Sequence, residues 1–156
     1  TANLKDVAFG NSTFVACGAD GAVYESANGS SWTSRTSGAS GNTLNGITFG
    51  NNLFFSVGSS GTLIKSTDNG TSWDTSPDST VTTNLNSIAY GNSIFVAVGY
   101  NTVIASTDNT GSTFGIKETT LSFNDVTFGN GVFVAVGDNE IIYTSTDGDS
   151  WTKVHP

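Results

Sequence analysis

Leu4-Lys5-Asp6-Val7-Ala8-Phe9-Gly10-Asn11-Ser12-Thr13-Phe14-Val15-Ala16-Cys17-Gly18 is one copy of a segment that returns without a gap at 44–58, 85–99 and 123–137. The starts lie 40, 41 and 38 residues apart. A period of about 20–50 residues is the mark of a repeat architecture, in which each copy is one supersecondary unit that covers its neighbour. Each copy begins with two apolar residues two apart, Val7 and Phe9, Ile47 and Phe49, Ile88 and Tyr90, Val126 and Phe128, which puts both on one side of a strand. A Gly-Asn turn follows every time. The next strand, Phe14 to Cys17, Phe54 to Val57, Phe95 to Val98 and Phe133 to Val136, is apolar on both faces, so it needs cover from both sides.

A third strand centres on Ala22-Val23-Tyr24, Thr62-Leu63-Ile64, Thr102-Val103-Ile104 and Ile141-Ile142-Tyr143. After it come a Gly/Asn/Asp turn and an aromatic, Trp32, Trp73, Phe114 or Trp151, opening a fourth strand. The repeats therefore predict an all-β fold, a small β-propeller with four blades of four antiparallel strands per chain. One domain spans 1–156, with blades at about 4–43, 44–84, 85–122 and 123–156. The four aromatics are expected to be buried at equivalent places, each covering on the order of 150–250 Å².

The turn before that aromatic resembles the Asp-box, or bacterial neuraminidase repeat, whose pattern is Ser-x-Asp-x-Gly-x-x-Trp. Ser66-Thr67-Asp68-Asn69-Gly70-Thr71-Ser72-Trp73 fits it completely. The copy at 145–151 is one residue shorter, that at 26–32 is shorter with Asn28 for Asp, and that at 106–114 is one longer with Phe114 for Trp. The resemblance implies that Asn28, Asp68, Asp108 and Asp147 accept backbone N–H groups of their own turns while Trp32, Trp73, Phe114 and Trp151 plug the blade edges. A calcium loop at Asp68-Asn69-Gly70 is the sharper alternative, but the spaced oxygens and terminal Glu of an EF-hand are absent. No metal and no cofactor are expected. The sequons at Asn11, Asn28 and Asn69 fall where a turn wants Asn anyway.

Composition agrees with the class and narrows the partners. The 156 residues hold 19 Gly against 2 Pro, and 13 carboxylates against 5 basic residues give a net charge of −8. That balance gives no basic stripe to neutralise phosphates, so nucleic acid is not expected as a partner. No apolar run is long enough to span a bilayer, so no membrane insertion is expected. Without any Met, the chain reads as a processed protein or an excised domain. The single Cys17 stands where the other copies carry Val57, Val98 and Val136, and so reads as a small buried apolar residue.

Asp-box propellers include sialidases, some glycoside hydrolases, sorting receptors of the sortilin type and a photosystem assembly factor, so the fold leaves function open. The sialidase resemblance implies a three-arginine clamp, and this chain has only Arg35. His155 is alone next to the C-terminus, and no carboxylate pair stands out around Glu25, Glu118 and Glu140. No catalytic residue is assigned, and the expectation is a protein that is not an enzyme.

Strand alternation puts the Gly-Asn turns and the boxes on one face. The opposite face carries the second-to-third turns and the blade-to-blade connections, and there the copies stop agreeing. Loops freed from a repeat constraint are where such scaffolds bind. Tyr100, whose counterparts are Ala19, Ser59 and Asp138, is the added aromatic, and with Asn101, Asp20, Asp138 and Asn139 it forms the candidate ligand-binding set. The partner expected is a glycan, with a neutral sugar favoured, or a protein receptor. The repeats are also similar to those of bacterial secreted and phage structural proteins, which implies an extracellular, secreted or particle-surface location. The alternative is a structural protomer of such a particle. The ring is expected to close as a four-bladed monomer, or by two chains meeting head to tail.

Overall fold

The computed structural model describes residues 1–75 and 80–154. His155 and part of the connection from Thr75 to Asn84 lie outside the described residues.

The chain is all β, in four antiparallel blades. Blade 1 has strands β1 (Leu4–Gly10), β2 (Thr13–Gly18), β3 (Val23–Ser26) and β4 (Thr33–Arg35). Blade 2 has β5 (Leu44–Gly50), β6 (Leu53–Gly58) and β7 (Leu63–Ser66), and among the described residues its fourth position is a two-bond bridge between Lys65 and Asp74. Blade 3 has β8 (Leu85–Gly91), β9 (Ile94–Gly99), β10 (Thr102–Ser106) and β11 (Phe114–Glu118). Blade 4 has β12 (Asp125–Gly129), β13 (Val132–Gly137), β14 (Ile141–Ser145) and β15 (Thr152–Val154). Among the described residues no helix is long and apolar enough to cross a membrane.

The Gly-Asn signal is two-residue hairpin chemistry. Asn11 and Ser12, Asn51 and Asn52, Asn92 and Ser93, and Asn130 and Gly131 all have positive φ, the left-handed pair that lets a tight hairpin follow the twist of its strands. Register then sets an aromatic pair across the first two strands of every blade: Phe9 with Phe14, Phe49 with Phe54, Tyr90 with Phe95 and Phe128 with Phe133, with ring centroids 4.5–4.8 Å apart.

The core lies between blades, in three clusters. Val15, Cys17, Leu44 and Ile47 belong to the cluster of blades 1 and 2. Phe55, Leu85, Ile88 and Phe95 belong to that of blades 2 and 3. Val96, Val98, Phe123 and Val126 belong to that of blades 3 and 4. The same steric fit recurs at each junction. The glycine ending the first strand of one blade lies under the first-strand aromatic of the next, and a Cβ on Gly10, Gly50 or Gly91 would fall 2.0–2.1 Å from a ring carbon of Phe49, Tyr90 or Phe128.

Packing runs from blade 1 to 2, 2 to 3 and 3 to 4, and among the described residues no core cluster joins blade 4 to blade 1. Val7 and Phe9 on β1 are 56% and 57% exposed, whereas Ile47, Ile88 and Val126, the counterparts of Val7, are each 5% exposed. Trp32, expected to be buried, is 41% exposed for the same reason. Its counterparts Trp73, Phe114 and Trp151 pack into the junction with the preceding blade, and among the described residues no blade packs against Trp32 in that way.

Candidate functional site

Three of the four turns before the aromatics are built alike, and in the fourth the Ser106 hydroxyl donates to the Asp108 carbonyl instead. Ser26, Ser66 and Ser145 donate their hydroxyls to Asn28, Asp68 and Asp147 at 2.9–3.3 Å. Asn28 Oδ1 accepts the N–H groups of Ser30 and Ser31, Asp147 Oδ1 those of Asp149 and Ser150, Asp68 Oδ1 that of Ser72, and Asp108 Oδ1 that of Thr110. Each indole N–H then donates to the box glycine carbonyl, Trp32 to Gly29, Trp73 to Gly70 and Trp151 to Gly148.

These bonds hold the carboxylates ionised. The Ser150 and Asp149 N–H groups keep the Asp147 carboxyl below the usual carboxylate range, and the Thr110 hydroxyl and N–H do so for Asp108. At Asp68 desolvation is the largest single cause and works the other way, but the hydrogen bonds from Ser72 and Ser66 together outweigh it and the carboxyl is again lowered. Among the described residues no group of three or more His, Cys, Asp or Glu side chains is arranged to hold a metal ion. Cys17 is fully buried, and burial pushes its thiol up to about 11, which keeps it protonated and unreactive.

The opposite face carries the five candidate binding residues on equivalent turns of blades 1, 3 and 4. Asp20, Asn101 and Asn139 occupy the left-handed position of their turns, with φ of 58°, 49° and 57°, a conformation that Asn and Asp tolerate. Three of their side chains are hydrogen-bonded within the chain, Asp20 and Asn101 to the connection that follows and Asp138 to the residue before the first strand of its own blade. Asp20 Oδ1 accepts the Gly41 N–H at 2.9 Å, Asn101 Oδ1 accepts the Ser122 hydroxyl at 3.0 Å, and Asp138 Oδ1 accepts the Asn124 amide at 2.7 Å.

Tyr100 differs. Its backbone is fixed by its own N–H to Asn84 O at 3.0 Å and by the Asn101 N–H to the Ser122 hydroxyl at 3.0 Å, yet its side chain is 63% exposed. Among the described residues no hydrogen bond or ring contact joins it to Asp20, Asp138 or Asn139, so the five residues share a face without converging on one pocket. In blade 1, Asp20 instead lines a depression with Arg35, Ser37 and Ser40. Arg35 is ion-paired with Glu25, and its Nε is buried without a partner. Sequence reasoning used Arg35 only to exclude a clamp, and its place beside Asp20 comes from the pairing of β4 with β3, which sets Arg35 opposite Val23.

No family model matches the chain, and no curated protein matches it. Solved structures are similar to it over nearly its whole length. YCF48 bound to D1 peptide superposes with a TM-score of 0.76 at 21% identity, over 98% of this chain and 55% of that one. YCF48 from Cyanidioschyzon merolae gives 0.75 at 18% identity, over 97% and 56%. The GH74 enzyme of Niastella koreensis gives 0.68 at 23% identity, over 97% and 24%. These are β-propellers, and likeness at such identity establishes the fold. The chain spans about half the length of the first of them and a quarter of the enzyme.

Proposed function

We propose that the chain is a non-catalytic recognition module that binds a protein partner on the face displaying Tyr100, at an extracellular, secreted or particle surface. The observation that carries this reading is the contrast within that face. Three polar side chains are tied by hydrogen bonds within the chain, while one large aromatic stands in solvent on a backbone held by two hydrogen bonds. An aromatic on a fixed backbone has only its two side-chain torsions left to order on binding, which makes it a strong anchor at a protein interface. A sugar site would want several free polar groups convergent on the ring, and Asp20, Asn101 and Asp138 are partly committed elsewhere.

Two further observations support the reading. One similar propeller has been solved with a peptide bound. Five carboxylates are held in structural bonds: Asp68, Asp108 and Asp147 in their turns, Glu118 by Thr119 and Thr120, and Glu25 by Arg35 and Thr71. On the same reading the four turns at 26–32, 66–73, 106–114 and 145–151 are Asp-boxes that serve folding. The test is a peptide-display selection on the immobilised chain beside a glycan array. Peptides that bind the wild type and the Asn51→Ala chain but not Tyr100→Ala are expected. Ligands that are indifferent to Tyr100→Ala, or glycans alone, would contradict the proposal.

A further inference from the structure

Each junction between blades has a trailing side and a leading side, and the same groups meet across it. On the trailing side the first-strand glycine receives the aromatic of the next blade. The turn Asn reaches the next blade's box: Asn11 donates to Asn69 Oδ1, Asn51 to Asn109 O, and Asn92 to Thr146 O, at 2.8–3.2 Å. Near the start of the first strand, Asn45 and Asn86 donate to Leu85 O and Phe123 O of the next blade, both at 2.8 Å. On the leading side the box glycine seats against the neighbour's second strand, Gly70 on Val15, Gly111 on Phe55 and Gly148 on Val96.

Blade 4 has a complete trailing side with nothing on it. Gly129 is exposed where Gly10, Gly50 and Gly91 are buried, and a Cβ there meets nothing within 4 Å. Val136 is 40% exposed where its counterparts are buried, and Asn130 is exposed. Asn124 turns back to Asp138 of its own blade. Blade 1 has a complete leading side with nothing on it. Leu4, Val7 and Phe9 are exposed. Gly29 faces only Phe14 of its own blade, and Leu4, Val7, Ala16 and Trp32 line a shallow depression.

We infer that the trailing face of blade 4 is covered by the leading face of blade 1 of a second copy of this chain, with Phe9 of one copy seated over Gly129 of the other. The occupant is a second copy because what is missing on each face is what the other supplies: an aromatic for a glycine, a box for Asn130, and a box glycine and Trp32 for Val134 and Val136. The contact continues the interface the chain already makes three times. It is heterologous, and two copies close it into a ring of eight blades in which both junctions are satisfied. This inference stands independently of what binds at Tyr100.

The test is the mass in solution of the chain and two variants, over the micromolar range. The wild type is expected at twice the 16.1 kDa of the chain. Gly129→Val alters a position with open space above it, and Phe9→Glu an exposed residue whose ring meets Phe14 of its own blade, so each is expected to stay folded, by circular dichroism, and to run as a monomer. Mixing the two variants leaves one junction unaltered, Phe9 of the Gly129→Val chain against Gly129 of the Phe9→Glu chain, and is expected to restore an associated species. A wild type that stays monomeric, a Gly129→Val chain that keeps the doubled mass, or a mixture that stays monomeric would each overturn the inference.

Discussion

At the scale of the residue, the box acid shows how one side chain closes a turn. Asp147 Oδ1 accepts two N–H groups and a serine hydroxyl, so ionisation is favoured in the folded chain relative to the unfolded one. A carboxyl whose folded pKa is depressed adds stability that is present above its unfolded value, 3.8 here, and is lost as pH falls through the folded value. Asp68 and Asp108 are shifted the same way. Thermal melts should therefore show stability falling as pH drops below about 4, and Asp147→Asn, which keeps the acceptor and loses the charge, should flatten part of that fall. With these oxygens occupied by N–H and hydroxyl donors, EDTA is expected to leave the melting temperature unchanged. A drop that calcium reverses would make Asp68 and Asp147 metal ligands instead.

The Asp, Gly and Trp of each box could be read from the sequence because all their partners lie within a few residues. The candidate binding residues were less legible. The exposure of Tyr100 followed from its contrast with Ala19, Ser59 and Asp138. The engagement of Asp20 by Gly41 and of Asn101 by Ser122 did not, because those partners sit about twenty residues away in connections that differ from copy to copy.

At the scale of the element, the blade is legible for a physical reason. A two-residue hairpin with two left-handed residues fixes register, and register fixes which aromatics meet. Blade 2 departs at its fourth strand, where only the Lys65–Asp74 bridge forms among the described residues. The first-strand glycines give the sharpest prediction at this scale. Gly50→Ala and Gly91→Ala force a methyl into a ring and should each cost about 2 kcal/mol, as overpacking does. Gly129→Ala, with open space above it, should be near neutral in a folded single chain. Urea denaturation of the three variants, with the Gly129 change compared at monomeric concentration, checks the contrast. Equal losses at all three positions would mean that the junctions differ from those described.

At the scale of the whole molecule, the repeat pattern told how many blades there are and could not tell how they close. Closure depends on the angle between blades, which a periodic sequence does not encode in any one residue. The four blades form an arc whose end faces are two halves of one interface. Pairing would bring two copies of Tyr100 onto one face, so a weak contact at each would act with the other on a multivalent partner.

The central claim is that blade 4 of one copy covers blade 1 of another, and amide hydrogen exchange tests it most directly. Gly129 belongs to a blade that does not pack on blade 1 within the chain, so a change there can reach β1 only through another molecule. In the wild type, β1 (Leu4–Gly10) should be protected like β5 and β8. In Gly129→Val, β1 should exchange markedly faster while β5 and β8 keep their protection. Identical exchange of β1 in the two proteins would contradict the account.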